Sequence, residues 1–222
     1  MSFAVIIPSK TAANLVPCLE AVRQNEPLAQ ILVMDDGIET DWLPRPDLEP
    51  CLFIRCEQPF IFSRNVNRGI LWAIEHGYDG DVALNDDALI ESPGGFSLMA
   101  AAALADEQIG VIGATTNLGH RCQKPKKEGL RVVDHFAFVA VYIPRRTIEH
   151  VGFLDEDFNT YGWEDNDYTH RVRFAGLKCA VHDGCYVDHG SLKSTFRGDP
   201  LNPAELATGR AIFERKWPGV PQ

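Results

Sequence analysis

Nothing in this chain approaches the roughly 18 consecutive apolar residues of a membrane span, although 45% of its 222 residues are hydrophobic. That share is enough to bury a sizeable core, in one large or two small units. Basic residues are in deficit: 21 Lys and Arg stand against 31 Asp and Glu, a formal charge of −10. Such a balance argues against general polyanion binding. The six cysteines (Cys18, Cys51, Cys56, Cys122, Cys179 and Cys185) form no CxxC pair and no zinc-like spacing, and most read as small core hydrophobes. There is no GxxxxGK[ST] loop and no GxGxxG fingerprint, hence no glycine-rich cradle for phosphates. Phe3 to Ile7 enters a strand directly, with no basic, cleavable leader before it, so the expectation is a reduced, cytoplasmic protein.

What is present is an alternation of strands and helices. Phe3–Ile7 and Ile31–Met34 are short apolar runs that read as buried strands, and Cys51–Ile54 is a third short strand. Between the first two, Asn14 is placed to cap a helix with Leu15, Leu19 and Val22 on one stripe, making a right-handed βαβ unit. Residues 39–50 read as a loop. A second helix follows Pro59-Phe60 and carries Val66, Ile70 and Ile74. Further on, strands are expected at 81–84, 110–114, 136–142, 178–181 and 185–188. Helices are expected from Phe96, from Pro144, before Gly176 with Tyr168, Val172 and Ala175 inward, and from the Asn202-Pro203-Ala204-Glu205 start signal. The pattern predicts one α/β domain over 1–222, with a mainly parallel central sheet flanked by helices and a more mixed C-terminal half. Within it, 1–90 and 91–195 form two successive halves and 196–222 a C-terminal helix.

The most informative stretch is Val82-Ala83-Leu84-Asn85-Asp86-Asp87: a strand that stops abruptly on two carboxylates and a carboxamide. These groups suit an oxygen-ligated divalent cation that keeps open positions for phosphates. The carboxyl end of a parallel strand is also where open α/β sheets place ligands. Read alone, Asn-Asp-Asp is equally the start of an ordinary turn. A second pair, Asp35-Asp36, ends the second strand. A nucleoside-diphosphate ligand fits that layout, one pair serving base or ribose and the other a metal on the pyrophosphate. Arg64 is a candidate to help neutralise phosphate, or else an ordinary ion-pair partner.

In order, Val5-Ile6-Ile7-Pro8-Ser9, Met34-Asp35-Asp36-Gly37, Phe62-Ser63-Arg64-Asn65-Val66-Asn67-Arg68-Gly69 and Leu84-Asn85-Asp86-Asp87 resemble family 2-type glycosyltransferases of the GT-A fold. Tyr161-Gly162-Trp163-Glu164-Asp165-Asn166-Asp167 is similar to that family's Gly-Trp-Glu-Asp block, and His189-Gly190-Ser191 to its late metal-binding segment. The resemblance runs from Phe3 to Ser194. Two positions depart from it: Ile38-Glu39 replaces a Ser-Thr pair, and Asn85 stands where the metal motif begins with aspartate.

The resemblance implies metal-dependent, inverting transfer of a sugar from a UDP-, dTDP- or GDP-linked donor to an acceptor hydroxyl. On it, Pro8, Ser9, Asp36, Arg64, Asn67, Asn85 and Asp86 would bind the donor. Asp87 and His189 would ligate Mn²⁺ or Mg²⁺, and Asp165 would be the general base. Trp163 and Glu164 would shape the acceptor pocket. Plainer roles stand beside these: a helix-start acid for Asp165 and a strand-end histidine for His189. Five basic residues crowd between Arg121 and Arg131. Lys124, Lys126 and Lys127 among them would bind an anionic acceptor (an acidic glycan, a lipid-linked sugar or, ranked lower, nucleic acid with hydroxylated bases), or form a solvated loop. A catalytically silent sugar-nucleotide or glycan-binding module would not need the Glu164-Asp165 pair. A nucleotidyltransferase would want a basic, glycine-rich loop that Ser9-Lys10-Thr11 does not supply.

Overall fold

The computed structural model describes residues 2–38, 50–160, 162–194 and 202–220. Its first strand, β1 (Phe3–Ser9), sends Val5 and Ile7 into one apolar layer and Ala4 and Ile6 into the other, all four fully buried. Helix α1 (Ala12–Asn25) covers the first layer with Leu15, Leu19 and Val22. Strand β2 (Gln30–Asp35) divides its residues as β1 does, and β3 (Cys51–Arg55) lies beside it. Helix α2 (Phe62–Glu75) covers the second layer with Val66, Ile70 and Ala73. β1 and β2 carry no polar alternation because both of their faces are dry; β3, at the sheet edge, leaves Leu52 exposed.

The chain continues through β4 (Gly80–Leu84), β5 (Leu89–Ile90), α3 (Gly95–Ala105), β6 (Ile109–Thr116), β7 (Leu130–Val133) and β8 (Ala140–Pro144). It then forms α4 (Arg145–Val151), α5 (Glu164–Phe174), β9 (Lys178–Asp188) and α6 (Asn202–Lys216). The sheet runs β3-β2-β1-β4-β8-β6-β9-β5, with β7 also on β9. β3, β2, β1 and β4 are mutually parallel; β8 runs antiparallel to β4 and β6; β9 is parallel to β6 and antiparallel to β5 and β7. The protein is thus a mixed α/β domain whose first half is parallel and whose second half is mixed. The carboxyl ends of β1, β2 and β4 fall side by side, where such sheets place ligands.

Several elements differ from expectation. Asn14 lies inside α1, whose cap position is Thr11, and its amide instead donates to the Lys193 carbonyl at 3.0 Å. The apolar run 136–142 becomes a strand only from Ala140. Before it, the buried Gln123 carboxamide takes the hydrogen bonds a neighbouring strand would make, accepting from Ala137 N–H and donating to its carbonyl, both at 3.0 Å. Phe136 fills the space that Gly113 leaves, where a Cβ would sit 2.6 Å from the ring. The segments 178–181 and 185–188 are one strand: the polar 183–185 is a bulge in β9, between the Ala114/His182 and Thr115/Tyr186 pairs. Strand β7 was not anticipated. Arg131 on it pairs with Asp183 in the bulge at 2.7 Å, both side chains being mostly buried. Ala175 lies just beyond the end of α5 and is half-buried. The loop expected at 39–50 falls, up to residue 49, outside the described residues.

Candidate functional site

The ends of β1 and β4 build one wall of a cleft of about 600 Å³, while the end of β2, with Asp36 after it, lies next to β1 and outside the lining. After β4, Ala88 N–H closes a turn onto the Asn85 carbonyl at 3.1 Å, and Asn85, Asp86 and Asp87 all line the cleft. The turn and the site are therefore the same residues. Ser9, at the end of β1, is buried and donates its hydroxyl to Asp86 Oδ2 at 2.7 Å. Burial pushes the Asp86 carboxyl up to about 6; the Ser9 hydrogen bond opposes this and the neighbouring Asp87 charge adds to it. Asp36, after β2, donates its N–H to the Ser9 carbonyl at 3.0 Å and accepts from Gln58 Nε2 at 3.1 Å. Burial raises its carboxyl too, against the pull of Lys10. Pro8, Lys10 and Phe60 complete this wall, with the Lys10 ammonium 4.4 Å from the Phe60 ring centre.

His189 reaches the same wall from beyond β9. Its Nδ1 lies 2.7 Å from the Leu118 carbonyl, so that nitrogen carries a proton. Its Nε2 faces Asp87 Oδ1 at 3.1 Å and Asn85 Nδ2 at 3.5 Å. In the neutral ring that Nε2 is an acceptor, which the Asn85 amide can serve; towards the Asp87 carboxylate, a proton or a cation between the two offsets their repulsion. Adjacent ligands on a cation with bonds of about 2.1 Å lie about 3 Å apart. The Asp87–His189 spacing therefore fits a shared divalent cation. Among the described residues no group of three His, Cys, Asp or Glu could hold a metal alone. Two protein ligands suit a hard cation that keeps water or phosphate oxygens in its shell.

The opposite wall is the start of α5. Gly162 and Trp163 both have left-handed backbones, φ +86° and +78°, immediately before the helix. For a residue as bulky as tryptophan this is a strained conformation, costing about 1–3 kcal/mol. Helix α6 holds the turn in place: a Cβ on Gly209 would sit 2.7 Å from the Gly162 carbonyl, so only glycine lets α6 come this close. The Trp163 ring lies against Phe213 of α6 at 5.4 Å. Beneath, the fully buried Asp167 accepts from Arg171 Nε, Trp217 Nε1 and Lys216 Nζ, each at 2.8 Å. Trp163, Glu164 and Asp165 thereby line the cleft, joined by Glu205 and Leu206 of α6. Burial raises the Asp165 carboxyl, opposed by the N–H groups of Asn166, at 2.8 Å, and Phe138. Glu164 is raised to about 8, by burial and then by the Asp165 charge, with its own backbone N–H opposing.

Other residues singled out in the sequence lie away from the cleft lining. Asn67 spends its carboxamide on the Leu154 backbone and Glu156, three contacts at 2.9 Å that tie α2 to the chain leading into α5. Arg64 donates to the Glu57 and Pro59 carbonyls, behind the Phe60 wall. Lys124, Lys126 and Lys127 are exposed and do not line the cleft. Sequence reasoning missed Lys10, Phe60, Ala137–Val139, Glu205 and Leu206. Ser9-Lys10-Thr11 was visible as a short basic step after β1; nothing local marks the α6 residues as cleft-forming.

A central sheet, parallel in its first half and mixed in its second, with acids after β2 and β4 and at the start of α5, is a GT-A-like glycosyltransferase fold. The structure of GalNAc-T7 with UDP, GalNAc and Mn²⁺ superposes with a TM-score of 0.71 and 14% identity over 90% of this chain and 45% of that one. S. aureus TarS gives 0.62 and 16% over 84% and 36%. A197 from STIV gives 0.54 and 13% over 84% of each. The chain spans less than half the length of the first two. No family model and no curated protein sequence matches it. Among the described residues no helix is long and apolar enough to cross a membrane.

Proposed function

We propose that this protein transfers a sugar from a nucleotide-sugar donor to an acceptor hydroxyl, with inversion, in the presence of a divalent cation. One observation carries this: a single cleft sets the strand-end acids and His189 against the half-buried Glu164-Asp165 pair. A nucleotide-binding module has no use for the second wall. Asp36, Pro8 and Ser9 form the nucleoside end, and Asp86, braced by Ser9, accepts from the ribose. Asp87 and His189, with Asn85 beside them, would hold Mn²⁺ or Mg²⁺ together with the diphosphate. That ion supplies charge neutralisation on the departing diphosphate. Lys10 adds a cationic side chain on the same wall.

On the other wall, Asp165 takes the proton of the acceptor hydroxyl as its oxygen bonds to the sugar carbon and the bond to the diphosphate breaks. A placed carboxylate of this kind contributes roughly 10²–10⁴-fold. Attack from the α5 wall, opposite the strand-end acids, is what makes inversion the expected outcome. The Trp163 ring offers a face for a sugar, and the acids around it favour a neutral ring there. Anionic parts of a larger acceptor, such as an acidic glycan or a lipid-linked phosphate, would reach the exposed Lys124, Lys126 and Lys127.

A thermal-shift panel of UDP-, dTDP- and GDP-sugars, with and without Mn²⁺, tests the donor half, because a ligand that binds the native state raises its apparent stability. At least one donor should stabilise the protein only when Mn²⁺ or Mg²⁺ is present, and turnover should release a nucleoside diphosphate. Release of pyrophosphate, or no stabilisation by any donor, overturns the proposal.

A further inference from the structure

Glu164 and Asp165 are consecutive on α5 and line the same cleft, yet their surroundings differ. Asp165 Oδ1 accepts the Asn166 N–H at 2.8 Å, and the Phe138 backbone lies against the same carboxyl. Glu164 Oε2 is buried and has no hydrogen-bond partner. A carboxylate oxygen shut away from water with no donor is costly, whereas a protonated carboxyl in the same place costs far less. The charged groups sharing the cleft do not repair this. Asp165 on its own helix, Glu205 on α6, and Asp86 and Asp87 after β4 are acids, against Lys10 and His189 on the far wall.

We propose that Glu164 stands in the cleft as a neutral carboxylic acid and donates a hydrogen bond to an acceptor hydroxyl beside the one that reacts, leaving Asp165 alone to take the proton. The two carboxyls are thus divided by their neighbours into a donor and a base. The pair keeps one proton at rest, on Glu164. During transfer the proton of the reacting hydroxyl goes to Asp165, and Glu164 retains its own. Burial and the Asp165 charge act on Glu164 in this same direction. The state of Glu164 does not depend on the transferase assignment; only the identity of what it hydrogen-bonds rests on that assignment.

The test is a pH titration of the full chain labelled with [δ-¹³C]glutamate, read by carboxyl NMR. Glu164→Gln assigns the resonance by removing it; if that variant does not fold, backbone-to-side-chain correlation in the wild type assigns it. The expected midpoint lies near 8, and Asp165→Asn lowers it by removing the like charge. A midpoint between 4 and 5 overturns the proposal, whether or not the protein transfers sugar. The functional arm uses the UDP-, dTDP- and GDP-sugar panel with monosaccharide acceptors. Glu164→Gln, which keeps a donor, should recover at least tenfold in kcat/KM over Glu164→Ala, and should lack the wild type's decline above pH 8. A glutamine variant as poor as alanine overturns the donor role. Absence of nucleoside diphosphate release with every donor, alongside a midpoint near 8, would instead count against the transferase assignment alone.

Discussion

His189 and Asp87 face each other across 3.1 Å, Nε2 to Oδ1, while the far nitrogen of the imidazole is committed to the Leu118 carbonyl. That second bond fixes the ring so that its other nitrogen points at the carboxylate. His189→Ala and Asp87→Asn should each weaken Mn²⁺ binding in the presence of nucleotide by about 10–100-fold, the usual scale for disturbing a metal shell. Thermal stability without metal should change little. Calorimetric titration of Mn²⁺ checks this, and full transfer in excess EDTA would refute it.

Asp165→Asn keeps the shape of the side chain and removes its ability to take a proton. Turnover should fall roughly 10²–10⁴-fold with donor affinity retained. A variant with more than about a tenth of wild-type turnover excludes Asp165 as the base.

Asp86 has its carboxyl raised from 3.8 to about 6. A raised value means the folded protein holds this proton more tightly than the unfolded chain. The stability contributed by that proton is complete below about 4 and is lost as pH rises through 6. Donor binding that needs the carboxylate runs the opposite way. Affinity should drop by up to about tenfold per pH unit below 6, as the proton competes. Donor titrations between pH 5 and 8 test this; Asp86→Asn should flatten the profile, and a flat wild-type profile would contradict it.

Asp81 is buried on β4 with Oδ1 unpartnered, and burial pushes its carboxyl well above the ordinary 3.8. Its sign is the same: the fold loses stability as pH rises from the unfolded value towards the folded one, by about 1.4 kcal/mol for each pH unit crossed. Asp81→Asn should therefore gain on the wild type in Tm as pH increases. Melting curves of both proteins at pH 4, 6 and 8 decide it; a constant gap would mean Asp81 is ionised in the fold.

Lys124, Lys126 and Lys127 are exposed beside the Arg131–Asp183 clip, which anchors their loop without using their side chains. Replacing all three with alanine should leave donor affinity intact and raise KM for an anionic acceptor, with a shallower salt dependence. Acceptor kinetics unchanged at low salt would leave these lysines as surface charge.

Much of this architecture was legible along the chain. Apolar runs ending in Asp35-Asp36 and Asn85-Asp86-Asp87 marked parallel strands and the ligand-bearing end of the sheet, because two-sided burial permits no polar alternation and polar side chains can begin only where the sheet stops. The Glu164-Asp165 start of α5 was marked by its block of residues. What the chain could not declare were the substitutions of one kind of partner for another. Gln123 acts as a strand neighbour for Ala137, the 183–185 bulge is held by Arg131, and Asn67 serves as a tie to Leu154. Each of these depends on a contact between residues distant in sequence or on an exchange of side chain for backbone, which no local periodicity records. Only the tertiary structure decided that α6 would lie on Gly162, bringing Glu205 and Leu206 to the cleft, and that one carboxyl oxygen of Glu164, Oε2, would be enclosed without a hydrogen-bond partner. The composition sets how many carboxylates the protein has; the packing around each one decides which of them can afford its charge.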